Sequence, residues 1–117
     1  MAGSLGEFEQ LTLLAVLRLA DGAYGVTVRQ AIEEVTGRDV SAGAVYTTLS
    51  RLEKRGLVSS RVGETTPERT GQRRKYYTVL PAGAAMVHDS MNAVSRMVDG
   101  VGPELTALAR QAEGGGK

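Results

Sequence analysis

The stretch SAGAVYTTLSRLEKRGLV, Ser41 to Val58, decides how the rest of the chain is read. Ser41 offers a side-chain oxygen to a free backbone N–H at a helix start. Val45, Leu49 and Leu52 follow at i, i+4 and i+7, which buries one edge of a helix, and Gly56 closes it. Opposite that edge stand Tyr46, Thr47, Ser50, Arg51 and Lys54, so the outer face is hydroxylated and basic. The first turn, Ser41-Ala42-Gly43-Ala44, carries almost no side-chain bulk. Leu57-Val58 then opens a strand-like run that extends to Val62.

Two amphipathic segments precede this stretch. In LGEFEQLTLLAVLRLA (residues 5–20), Phe8, Leu11, Ala15 and Leu19 keep helical spacing, and Leu14 and Leu17 widen the apolar face. Residues 24–36 place Tyr24, Val28, Ala31, Ile32 and Val35 on one side, and Thr36-Gly37 stops the helix. Three helices joined by short turns form the skeleton of a helix-turn-helix unit. After them, Leu57–Val62 and the run RRKYYTVL (Arg73–Leu80) bracket the polar loop GETTPERTGQ, which predicts a β-hairpin wing. The expected fold is therefore mainly α with a small β-hairpin, a winged helix-turn-helix domain over residues 5–80.

Pro81 suits the first turn of a further helix, where its missing N–H costs nothing. Ala84, Val87, Met91, Val94, Val98, Val101, Leu105, Leu108 and Ala112 then recur at alternating spacings of three and four. So narrow a seam predicts a dimerisation helix over residues 81–112, with Val87, Met91, Val94, Val98, Val101, Leu105 and Leu108 at the interface. A helix that packs back on its own domain is the other reading of the same pattern. Gly100-Val101-Gly102-Pro103 predicts a break near 100–103, because proline inside a helix removes a hydrogen bond and clashes.

The 117 residues suffice for one core, and 42% apolar content argues for a folded chain. With no cysteine there is neither a disulfide nor a thiolate metal site, which fits a reducing, cytoplasmic setting. No run reaches the ~18 apolar residues of a membrane span, and MAGSLGEFEQ lacks the basic start of a secretory signal. The net charge of +1 hides a division. Ser41–Leu80 holds eight basic residues against three acidic ones, +5, which leaves −4 for the remainder. A basic centre between acidic ends points to a polyanionic partner.

A DNA major groove about 12 Å wide admits one helix, and a slim first turn lets it approach base edges. The free N–H groups of that turn suit a phosphate. Ser41, Gly43, Ala44, Tyr46, Thr47, Arg51 and Lys54 are the candidate DNA-facing residues of the third helix. Arg73, Arg74 and Lys75 are those of the wing, with alternation sending Arg73 and Lys75 to one face and Arg74 to the other. Taken alone, the helix face also suits an ordinary solvated surface with a satisfied serine cap. The adjoining basic hairpin favours the DNA reading.

These segments resemble the PadR-like family of bacterial transcriptional regulators. The likeness runs through LGEFEQLTLLAVLRL, AYGVTVRQAIEEVTGRDVSAGAVYTTLSRLEKRGLV and GQRRKYYTVLPAG, about residues 5–83. It implies a homodimeric, ligand-responsive repressor with a recognition helix at about 41–55 and a wing at 57–80. Its partner would be a pseudo-palindromic double-stranded operator with half-sites about 34–36 Å apart. Tyr24-Gly25 matches the turn before the second helix and implies a structural pair, with Tyr24 in the core. Leu80 stands where the family usually has threonine, so the last helix starts without a hydroxyl cap.

An enzyme is not expected, and neither a cofactor nor a metal is implied. His88, the one histidine, has Asp89 beside it, and neighbours on a helix point about 100° apart rather than at one another. A small-molecule effector, if one exists, would lodge between the dimer halves. Met86, Met91 and Met97 could line an adaptable apolar pocket there, although methionines at helical spacing also serve as core packing. The alternative function is a winged-helix module that binds protein without sequence-specific DNA recognition.

Overall fold

The computed structural model describes residues 4–63 and 74–114. In order these form α1 (Glu7–Leu19), α2 (Gly25–Thr36), α3 (Ala42–Lys54), β1 (Val58–Val62), β2 (Lys75–Val79), α4 (Pro81–Val98) and α5 (Gly102–Gly114). A single 3-10 turn, Ala20–Gly22, joins α1 to α2. The chain divides into two compact units, Met1–Val87 and His88–Lys117. No helix among the described residues is long and apolar enough to cross a membrane.

In the first unit α1 begins where the Glu9 carboxylate accepts the Gly6 N–H at 2.9 Å, with Glu7 and Glu9 facing the positive end of the helix. Its buried residues are Thr12, Leu13, Ala15 and Val16, whereas Leu17 is 61% exposed. Ala15 is inside and Phe8, Leu14 and Leu19 pack against the core as spacing predicts; the departures are Leu17, left outside, and Leu13 and Val16, fully inside. The run LTLLAVLRL is apolar on nearly every side, so its period selects no face; packing against α2, α3 and β2 does. Thr12 is tolerated inside because its hydroxyl donates to the Phe8 carbonyl at 2.8 Å.

The α2 helix starts with the Tyr24 N–H donating to Thr27 Oγ1 at 3.0 Å and buries Val28 and Ile32. Val35, expected on the same face, is exposed. The turn into α3 is stapled from α2: Arg29 Nε donates to the Val40 carbonyl at 2.9 Å, and the Val40 N–H donates to Glu33 Oε2 at 3.2 Å. Ser41 caps α3 as expected, its Oγ accepting the Ala44 N–H at 3.1 Å. Val45, Leu49 and Leu52 are all 0% exposed, so the edge expected to be inside is inside.

Gly56, with φ of 75°, takes the left-handed conformation that reverses the chain after α3. The strands pair antiparallel, from Val58 opposite Val79 to Val62 opposite Lys75. The hairpin is pinned to the helices from two sides. Leu57 and Val58 join the core, and the Tyr77 N–H donates to the Ala23 carbonyl at 2.8 Å. Just before α4 a main-chain bond ties the chain back to the start of the hairpin: the Leu80 N–H donates to the Leu57 carbonyl at 3.0 Å.

Val87 requires a correction. It is expected in the dimer seam, but it is 6% exposed and belongs to the core cluster of its own unit. The first turns of α4, with Gly83 and Val87 buried, serve that core because only Leu80 separates β2 from Pro81.

The second unit contains the rest of α4 and all of α5. Asp99–Val101 separates the two helices, with Gly100 at φ 87°. Pro103 sits in the first turn of α5, so the break falls just before it. Among the described residues after Val87 none is buried. Met91, Val94, Met97, Val98, Val101, Leu105 and Leu108 are all exposed.

Candidate nucleic-acid interface

The outer face of α3 follows from its inner one. With Val45, Thr48, Leu49 and Leu52 turned inward, Tyr46, Thr47, Ser50, Arg51 and Lys54 are left outside and line a shallow concavity of about 500 Å³. Ser41, Ala42, Gly43 and Ala44 are also exposed at the tip of the helix. The first main-chain bond of the helical ladder runs from the Val45 N–H to the Ser41 carbonyl at 3.2 Å. The N–H groups of Ala42 and Gly43 lie ahead of it, at the positive end of the helix.

Tyr46 rests against the start of α2. Its ring covers Gly25 at the start of α2, where an added Cβ would lie 2.7 Å from Cζ and 2.8 Å from the hydroxyl oxygen. The ring nevertheless stays 54% exposed, so its edge remains part of the surface.

Several cations of the first unit are paired with carboxylates. Arg29 pairs with Glu33 at 3.6 Å, Arg38 with Glu7 at 2.7 Å, Arg55 with Glu9 at 3.2 Å and Lys75 with Glu53 at 3.2 Å. Arg51 and Lys54 have no such partner among the described residues. Among the described residues they are the uncommitted positive charges of the exposed α3 face.

The loop-side end of the strand pair carries an alternating set of cations and rings. The Arg74 guanidinium lies 4.3 Å from the centre of the Tyr24 ring, and Arg61 lies 4.7 Å from that of Tyr76. Tyr24 and Tyr76 meet edge to face at 5.4 Å. Tyr24 is thus half-buried under Arg74 rather than inside the core. On the opposite face of the hairpin, Glu53 accepts from Ser60 Oγ at 2.5 Å and from Lys75. The Ser60 hydroxyl first, and the Lys75 ammonium after it, hold the Glu53 carboxyl below its ordinary value. The carboxylate in turn holds Lys75 above its own.

Of the residues expected at the site, Ser41, Gly43, Ala44, Tyr46, Thr47, Arg51 and Lys54 share one exposed helix face. Arg74 and Lys75 lie on opposite faces of the hairpin, as alternation requires. Arg73 lies outside the described residues. Spacing missed Arg61, whose signal was its place across the strand pair from Tyr76. His88 and Asp89 approach only to 3.8 Å, on an exposed surface.

Three helices whose third is capped, exposed and basic, followed by a pinned hairpin, define a winged helix-turn-helix protein. The chain belongs to the transcriptional regulator PadR-like family, whose model matches residues 13–89. That is a family of transcriptional regulators, not of enzymes. A PadR family transcriptional regulator from Eggerthella lenta is 26% identical, with a TM-score of 0.65 over 85% of this chain and 86% of that one. A transcriptional regulator from Clostridium thermocellum is 22% identical, with a TM-score of 0.66 over 81% and 89%. Bacillus subtilis PadR, solved in complex with operator DNA, is 21% identical, with a TM-score of 0.60 over 73% of this chain and 48% of that one. In sequence the chain is also 29% identical over 86 residues to an uncharacterised 37.1 kDa protein of transposon TN4556 from Streptomyces fradiae. The match covers 73% of this chain and only 23% of that protein.

Proposed function

We propose that this chain is a DNA-binding transcriptional regulator, a homodimeric repressor whose α3 enters the major groove while the hairpin lies along the adjacent backbone. One observation carries the reading. The exposed face of α3 combines a slim tip, the hydroxyls of Thr47 and Ser50, and two cations, Arg51 and Lys54, without acidic partners among the described residues. Arg29, Arg38, Arg55 and Lys75 are by contrast neutralised within the chain. Uncommitted positive charge on a protruding helix is what a phosphate backbone attracts.

In this reading Ser41, Gly43 and Ala44 let the helix tip approach the duplex, and Thr47 and Arg51 meet base edges or phosphates. Tyr46 packs over Gly25 and offers its exposed edge, Lys54 meets the backbone, and Arg74 does so from the wing. The dimer would form along the apolar stripe of Met91, Val94, Val98, Val101, Leu105 and Leu108. An effector seated between the halves would alter the spacing of the two α3 helices and hence the affinity for DNA.

The test is a mobility shift on the duplex upstream of the protein's own coding region, titrated with salt. Binding should weaken linearly on a log–log plot, and Arg51→Ala and Lys54→Ala should each flatten the slope by about 0.9 for every phosphate they cease to neutralise. Absence of a shift at low salt from folded protein would instead favour a protein-binding winged helix.

A further inference from the structure

Resting on the DNA reading for its functional consequence, one cluster points elsewhere than to a phosphate. Glu53 lies between Arg51 and Lys54 on α3, the one acidic residue in that basic end of the helix. A bare carboxylate there would repel a nucleic-acid backbone. Its two oxygens are instead divided between the strands of the hairpin. Oε2 accepts from Ser60 on β1 at 2.5 Å, and Oε1 pairs with Lys75 of β2 at 3.2 Å. The Lys75 ammonium also lies 5.9 Å from the centre of the Tyr77 ring, so it is held along its own strand.

We infer that Glu53 is a positioning residue that locks the wing to the recognition helix, and that Lys75 is the other half of this lock rather than a phosphate contact. Between α3 and β1 the chain passes only through Arg55, Gly56 and Leu57, and Gly56 is left-handed. A joint that short sets the hairpin's origin, and the Tyr77–Ala23 main-chain bond and the packing of Leu57 and Val58 hold it to the core. One carboxylate gripping both strands is the contact that ties its tilt to the exposed side of α3. It thereby helps set the distance between the helix in the groove and the wing on the backbone. It also removes a negative charge from the DNA face by neutralising it internally.

The test uses the full-length protein with Glu53→Gln, Lys75→Met, the double variant and the charge swap Glu53→Lys/Lys75→Glu. Thermal unfolding without DNA and salt-titrated binding to the upstream duplex are measured for each. If the lock exists, Lys75→Met and Glu53→Gln each weaken binding several-fold yet keep the wild-type salt slope. The double variant then binds little more weakly than either single one, and the swap recovers part of the affinity. A slope that falls by about 0.9 per phosphate in Lys75→Met would make Lys75 a backbone contact and overturn the inference. So would tighter binding by Glu53→Gln, the result for a carboxylate that merely repels DNA. Thermal unfolding separates the two readings. If wild-type protein shifts no duplex, the DNA function fails, and the lock is then decided by whether the two substitutions are coupled in stability, additivity overturning it.

Discussion

At Gly25 there is no room for a side chain, because the Tyr46 ring occupies the place a Cβ would take. The obstacle is the far end of an exposed side chain, which can swing away. Gly25→Ala should therefore cost little stability, about 0.5 kcal/mol or less in a thermal melt. It should weaken DNA binding by displacing Tyr46 from the α3 face, which a mobility shift would register. Ser41 makes the opposite prediction. Its Oγ caps α3 through the Ala44 N–H, so Ser41→Ala should destabilise the fold by about 1 kcal/mol. In a domain of this size that lowers the melting temperature by roughly 4–8 °C. An unchanged melt would mean the cap contributes nothing.

Glu53 joins α3 to both strands of the hairpin, and this contact has a pH window. The folded Glu53 carboxyl titrates below its ordinary value of 4.5, so its contribution is present above that value and fades as pH falls through the lowered one. The folded Lys75 titrates above 10.5, so its contribution is present below that value and is lost as pH rises further. The stability advantage of wild type over Glu53→Gln should hold across neutral pH, shrink once pH falls below the ordinary carboxyl value of 4.5 and vanish only in acid below the lowered one, as melts across pH would show. A constant difference down to strong acid would contradict it. The hairpin's existence was legible in the Leu57–Val62 and Arg73–Leu80 runs, but the lock was not. Glu53 and Lys75 are distant in sequence, and a lysine beside two arginines reads as a DNA cation until its partner is seen.

For the molecule as a whole, the two units make contrasting predictions. The stripe from Met91 to Leu108 is exposed along its length, and burying a Val or Leu side chain is worth about 1.5–3 kcal/mol. Val94→Asp or Leu105→Asp should therefore weaken self-association at least about tenfold in sedimentation equilibrium, with the first unit still folded. Val87→Ala should do the reverse. It opens a void in the first unit's core and should cost about 1–3 kcal/mol in unfolding while leaving self-association unchanged. If Val87→Ala dissociates a dimer without lowering the melting temperature, its assignment to the core is wrong.

Local chemistry alone specified much of this protein. Ser41 as a cap, Gly37 and Gly56 as stops, and Val45, Leu49 and Leu52 as an inner edge depend on neighbours within a few residues, and each could be read directly. The division of positive charge was equally plain, as was the family likeness. Which side of α1 faces inward, that Val87 belongs to the core, and which described cations lack an acidic partner were settled only by folding. Leu13 and Val16 are no more apolar than Leu14 and Leu17, and Val87 keeps the same spacing as Met91. Burial and charge pairing are relations between distant segments, and a linear pattern does not contain the neighbour that completes them.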